Sequence, residues 1–229
     1  MKYLIRTFGR IHGKKLSPRQ QGLVDNFLPT LLPKFPSGEG NFIRVLEIGF
    51  GSGEHIVHLA QNPDFFIVGA EPFMNGVASL LSKIEGTPAE ERIRIWPGDA
   101  REYLEENPVQ FDMIYILHPD PWPKEKHEKR RLLSTEFLNG LERNLSPSGL
   151  MIVGSDHYSY LDWTKTQIND SIFKLLNKDE LTPPSSGLST RYSVKNKFGS
   201  PAPRYLVLGR RTEDFPSPER LARLDLTLA

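Results

Sequence analysis

From residue 42 onward, near-continuous apolar runs of strand length alternate with segments of helical spacing, and this alternation constrains the fold more than any other feature. FIRVLEIG (42–49), DFFIVGAE (64–71), RIRIWPGD (92–99), FDMIYILH (111–118) and GLMIVGSD (149–156) read as five buried strands. Between and after them, SGEHIVHLAQ, FMNGVASLLSKIEG, AREYLEEN, residues 130–145 and residues 158–176 read as helices. In 130–145, Leu132, Leu133, Phe137, Leu138, Leu141 and Leu145 share one face. Strands that alternate with helices imply βαβ units, hence a doubly wound, mostly parallel α/β sheet covered on both faces. The last 50 residues hold strand-like RYSVK and RYLVLGRR with no room for a helix between them, which predicts an antiparallel C-terminal hairpin at one edge.

Residues 1–40 read as a basic arm, an apolar patch (Leu23, Val24, Phe27, Leu28, Leu31, Leu32) at helical spacing and a Pro/Gly-rich linker. The predicted division is therefore arm and linker over 1–40, one catalytic domain over 41–211 and a tail over 212–229. The 229 residues contain no cysteine, which excludes disulfides, thiolate metal sites and a cysteine nucleophile. No apolar run reaches the roughly 20 residues of a membrane span, and MKYLIRTFGR lacks the apolar core of a signal peptide. These features predict a cytoplasmic protein with no membrane partner.

The net charge of +1 conceals a segregation. Residues 1–19, 124–131 and 189–211 together carry +15, leaving −14 on the rest. Clustered cations of this kind are the footprint of a nucleic-acid partner, even in a nearly neutral chain.

The strand ends carry the candidate chemistry. In doubly wound sheets, ligands bind beyond the carboxyl ends of the strands. The first strand ends in EIGFGSG (47–53), where Gly49 and Gly51 allow a sharp turn and close approach of a ligand. Glu71 ends the second strand, about 20 residues on, where a carboxylate accepts from both hydroxyls of a ribose. Asp99, followed by Ala100, ends the third, where an adenine amino group would lie. With Glu47 before the turn, this acid lining repels a pyrophosphate and favours a cationic sulfonium amino acid. The glycine spacing also departs from G-x-G-x-x-G, which disfavours a nicotinamide oxidoreductase. The arrangement resembles the Rossmann-like fold of S-adenosylmethionine-dependent methyltransferases, which implies seven strands with the last hairpin inverted.

The fourth strand runs into HPDPWPKEKHEKRR (118–131), which combines an acid (Asp120) between prolines, an aromatic plane (Trp122) and a cation cluster. Such a set addresses a nucleobase and its phosphates together. His127 lacks companions at metal-ligand spacing, so no metal is expected. In order along the chain, RTFGR, EIGFGSG, GAEP, GDA, PDPWPKEKHEKRR, SD (155–156) and STRYSVK (189–195) resemble the bacterial single-chain tRNA (guanine-N7-)-methyltransferase family.

That resemblance implies methyl transfer from S-adenosylmethionine to N7 of a guanosine in the tRNA variable loop (position 46 of the tRNA). It implies cofactor contacts from Glu47, Gly49, Gly51, Glu71, Asp99, Ala100 and Asp120, with Asp120 catalytic. It implies that Lys124, Asp156, Thr190, Arg191, Tyr192 and Ser193 bind the target nucleotide. Lys126, His127, Lys129, Arg130 and Arg131 match an RNA-contacting segment. The family usually carries glutamate where Ser193 stands. The expected partner is tRNA, and the chain is expected as a monomer or homodimer. Other RNA methyltransferase chemistries fit less well: PDPW differs from the [DN]-PP-[FY] of amine methylation, and a lysine-centred set for a 2′-hydroxyl cannot be assigned from the sequence. The intact acid set disfavours an idle RNA-binding module.

Overall fold

A computed structural model describes residues 9, 11, 13–33, 42–176, 204–213 and 217–224. Seven strands form a mixed sheet, and the chain divides into two compact units, residues 1–108 and 109–229.

In the first unit, β1 (Ile43–Ile48), β2 (Phe65–Ala70) and β3 (Ile93–Trp96) are parallel in the order β3-β2-β1. All six residues of β2 are buried, as a central parallel strand covered on both faces requires. Helix α1 (Pro18–Gly22) starts in a capping box, in which Ser17 and Gln20 bond each other's backbone N–H and Pro18 stands at the first helical position. The apolar patch after it is helical but irregular: a π turn over Leu23–Phe27 leads into a 3-10 turn over Leu28–Leu31, where Pro29 has no N–H to continue an α-helix. Leu23, Leu28 and Leu31 are buried and Leu32 is exposed.

Helices α2 (Glu54–Leu59), α3 (Met74–Ile84) and α4 (Ala100–Glu106) follow β1, β2 and β3. On α3, Val77, Leu80, Leu81 and Ile84 are at most 1% exposed. Each such burial contributes about 1.5–3 kcal/mol, which fixes α3 with its N-terminus at the end of β2. The basic arm joins this unit at its C-terminal part: Asn75 donates to the Lys14 carbonyl at 2.7 Å and Arg19 pairs with Glu85 at 2.7 Å.

In the second unit, β4 (Phe111–Leu117) and β5 (Leu145–Ser155) are parallel. The strand β7 (Arg204–Arg210) runs antiparallel to β5 and carries the short β6 (Phe173–Leu175) on its other edge. Two expectations change in detail. The helix foreseen over 158–176 is α6 (Tyr158–Asn169), and the chain then turns at Ser171, whose hydroxyl donates to the Ile168 carbonyl and accepts from the Phe173 N–H; Phe173–Leu175 becomes the edge strand. RYSVK, the expected partner of RYLVLGRR, lies outside the described residues.

The helix foreseen over 130–145 is shorter, as α5 (Thr135–Gly140) begins at the Ser134 cap and passes into a 3-10 turn over Leu141–Asn144. Its apolar positions still face inward, with Leu133, Leu138, Leu141 and Leu145 at most 1% exposed. β5 begins four residues before the expected run: Phe111 pairs with Leu145 and Met113 with Leu150, so residues 146–149 bulge from the ladder.

In the tail, α7 (Pro218–Arg223) is capped by Ser217, and its Arg220 pairs with Asp112 at 2.9 Å. Leu221 and Leu224 are buried. Among the described residues no helix is long and apolar enough to cross a membrane, and no group of three or more His, Asp or Glu could hold a metal ion.

Candidate active site

The first unit gathers its carboxylates at the ends of three neighbouring strands. After β1 the chain turns through Gly49 and Gly51, with φ of +75° and +58°, a left-handed region costly for other residues. Where a Cβ would stand on either glycine there is open space within 4 Å. The turn therefore presents bare backbone to an open cradle. Lys83, in the last turn of α3, steadies it by donating to the Ser52 carbonyl and pairing with Glu54 at 3.0 Å.

Glu71 clamps this turn. One carboxylate oxygen accepts from the Gly51 N–H at 2.7 Å and the other from the Phe73 N–H at 2.8 Å. The sequence reading gives Glu71 to a ribose; the structure shows that it also builds the turn. A carboxylate has about four acceptor sites, so both tasks are compatible. Glu47, at the end of β1, is 2% exposed, and one of its oxygens lies 2.9 Å from His55 Nδ1 on α2.

Asp99 caps α4 through the Arg101 N–H at 2.9 Å and grips the Arg101 guanidinium through both oxygens, at 2.9 and 2.7 Å. That hydrogen bonding raises the Arg101 pKa against the opposing effect of burial. Ala100 is buried at the start of α4, and the Trp96 indole N–H donates to the Asp99 carbonyl at 3.2 Å.

The second unit carries the acid, aromatic and cation set. The loop after β4 holds two non-glycine residues at positive φ, His118 (+51°) and Trp122 (+41°), with Asp120 midway between them. Such conformations cost on the order of 1–3 kcal/mol each and persist only where the surroundings enforce them. One restraint is the His118 N–H, which donates to the Gly154 carbonyl at 2.7 Å. Another is Arg131, which donates to the carbonyls of Pro121 (3.0 Å) and Trp122 (3.3 Å), pairs with Glu128 at 3.0 Å and lies 4.9 Å over the Trp163 ring. Its side chain is only 8% exposed.

Asp120 is exposed and makes no hydrogen bond or ion pair among the described residues. The protein around it nonetheless desolvates its carboxyl and raises its pKa. Asp156, just beyond β5, lies 3.7 Å from His118 Nδ1. Burial lowers the His118 pKa, and the Asp156 charge opposes that only in part.

The basic run forms a 3-10 turn over Glu125–Arg130. Lys124, Lys126 and Lys129 are exposed. The Trp122 ring has the Arg130 guanidinium over it at 5.0 Å and meets the His127 ring edge-on at 5.6 Å. Desolvation, then repulsion from Arg130, Lys126 and Lys124, lowers the His127 pKa.

Thr190, Arg191, Tyr192 and Ser193 lie outside the described residues. Four residues that the sequence reading missed also shape the site. His55 follows Glu47 by eight positions, and Arg101 follows Asp99 by two. His118 opens the proline loop, and Gly76 lies against the glycine turn. Gly76 had a legible signal, since a glycine inside a helical pattern marks a close approach.

These residues fit a bound S-adenosylmethionine: the cradle at Gly49 and Gly51 would be filled by any Cβ, and carboxylates end all three strands around it. A family model described as "Putative methyltransferase" matches residues 42–199. A tRNA (guanine-N(7)-)-methyltransferase of Ruegeria sp. (strain TM1040) is 37% identical over 223 residues, covering 89% of this chain and 87% of that protein. One of the same name from Erythrobacter litoralis (strain HTCC2594) is 44% identical over 171 residues, 69% of this chain and 71% of that protein. Among solved structures, the 16S rRNA methyltransferase KamB matches with a TM-score of 0.54 at 18% identity, over 85% of this chain and 94% of that one. That last likeness is one of fold. Fold, strand-end chemistry and relatives agree: the chain belongs to the tRNA (guanine-N(7)-)-methyltransferase family.

Proposed function

We propose that the protein transfers a methyl group from S-adenosylmethionine to N7 of a guanosine in the variable loop of tRNA. The observation that carries this reading is the set of carboxylates around a bare glycine turn in the first unit; taken by itself, the acid, aromatic and cation loop of the second unit suits a nucleotide. S-adenosylmethionine, when bound, supplies an electrophilic methyl on a sulfonium.

Glu47 takes the ammonium of its amino-acid end, and the backbone at Gly49 and Gly51 lets it approach. Glu71 accepts from the ribose hydroxyls, and Asp99 with Ala100 faces the adenine. Guanine N7 carries an in-plane lone pair and no proton, so no general base is needed. The protein's task is to orient the base, an effect that can supply about 7–11 kcal/mol.

Asp120 or Asp156 accepts from guanine N1–H and the N2 amine, which fixes the base and offsets positive charge developing on its ring. Lys124, Lys126, His127, Lys129 and Arg130 meet phosphates. Arg131 holds the loop that presents Asp120. The stretch Thr190–Ser193 completes the nucleotide contacts in this reading.

The test is to incubate unmodified tRNA with the protein and labelled S-adenosylmethionine and then cleave chemically at N7-methylguanosine. The reading expects one cleavage, in the variable loop. Label at an exocyclic amine or a ribose would replace it with another methylation.

A further inference from the structure

The buried pair Glu47–His55 has a geometry that the reaction itself does not require. A carboxylate removed from water is strongly disfavoured unless it is paired and hydrogen-bonded. Glu47 and His55 have side-chain exposures of 3% and 2%, and Glu47 Oε2 lies 2.9 Å from His55 Nδ1. No other hydrogen bond reaches the Glu47 carboxylate among the described residues. The pairing follows from the turn. Three glycines at positive φ (49, 51 and 53) reverse the chain so that the second residue of α2 returns to the end of β1. With Glu47 ionised, Nδ1 carries the proton and donates it, so Oε2 is committed to the protein. The other oxygen, Oε1, is left to a ligand in the cradle.

We infer that His55 is a positioning residue. It fixes the Glu47 carboxylate so that Oε1 faces the ammonium of the cofactor's amino-acid end, and it thereby sets the preference for ligands that carry that end. The inference rests on the assignment of Glu47 to that ammonium.

The experiment compares two ligands by calorimetry on the full-length protein. S-adenosylhomocysteine has the amino-acid end; 5′-methylthioadenosine lacks it. His55→Ala removes the donor without adding volume. It is expected to weaken S-adenosylhomocysteine at least tenfold and methylthioadenosine less than twofold. His55→Asn, whose side-chain N–H stands near the place of Nδ1, is expected to bring S-adenosylhomocysteine back to within threefold of the parent. Equal weakening of both ligands, no weakening of either, or no rescue by asparagine overturns the inference. Should His55→Ala not fold, as judged by circular dichroism, the comparison of His55→Asn with His55→Gln replaces it, because only asparagine places its donor at the Nδ1 position. Equal ligand preference in those two variants then overturns it. Glu47→Gln separates the layers. If that variant keeps the parental preference between the ligands, the assignment of Glu47 to the ammonium fails. If it loses the preference while His55→Ala keeps it, only the positioning role fails.

Discussion

The carbonyl oxygen of Gly51 lies 2.2 Å from where a Cβ on Gly76 would stand. Helix α3 therefore rests its backbone directly on the glycine turn, and no side chain fits between. Gly76→Ala pits two effects against each other. Helix propensity favours alanine by about 1 kcal/mol. Overlap with a backbone oxygen, which cannot rotate away, costs about 1–3 kcal/mol and displaces the turn. The overlap wins: denaturant melts are expected to show a loss of stability, and calorimetry weaker binding of S-adenosylhomocysteine. Gly22→Ala, in α1 with open space around its Cβ position, is the control and is expected to be neutral or slightly stabilising.

Arg131 and its basic neighbours are expected to separate by assay. Arg131→Lys removes the paired donors to Pro121 and Trp122 that hold the strained loop, and a lysine cannot replace that planar fork. Turnover is expected to fall at least tenfold while the salt dependence of tRNA binding stays unchanged. Lys126→Ala and Lys129→Ala are expected to do the reverse, each lowering the logarithmic salt slope by about 1 with little effect on turnover.

His118 gives a pH dependence of known sign. Its pKa is held below its ordinary 6.5, so below that pH the unfolded chain binds more protons than the folded one. Stability is therefore present at neutral pH, begins to be lost as pH falls below about 6.5, and goes on falling until pH passes the lowered folded-state value. Denaturation at pH 7.5 and 5.5 is expected to show a smaller decline in His118→Asn than in the parent.

One of the two carboxylates, Asp120 or Asp156, is expected to accept from the guanine N2 amine. In a tRNA carrying inosine, which lacks the N2 amine, the parent loses turnover. Asp120→Ala and Asp156→Ala each lose turnover on normal tRNA, and the variant lacking the acceptor for that amine is expected to lose nothing further on inosine. Full additivity in both variants contradicts the contact.

The strands were legible because β1, β2, β4 and β5 are long apolar runs, and the acids Glu47, Glu71 and Asp99 because each stands at or just beyond the C-terminal end of a strand-like run. β6 was not legible, since three residues carry no period and its pairing depends on a β7 strand about 30 residues away. In the sequence Arg131 is one more cation in a run; charge alone does not distinguish an arginine that faces solvent from one that holds backbone carbonyls. The Asp99–Arg101 grip and the His55 pairing depend on turns whose geometry spacing alone does not give. The contacts at Ser193, which stands where the family usually has glutamate, fall outside the described residues.

The central claim is electrostatic: the acid-lined glycine turn seats a sulfonium methyl donor and rejects a pyrophosphate. Calorimetry of the protein with S-adenosylmethionine and, separately, with NAD tests it most directly. Saturable one-to-one binding of S-adenosylmethionine with no detectable heat from NAD is the predicted result. Tighter binding of NAD, or no binding of S-adenosylmethionine by folded protein, would contradict the account.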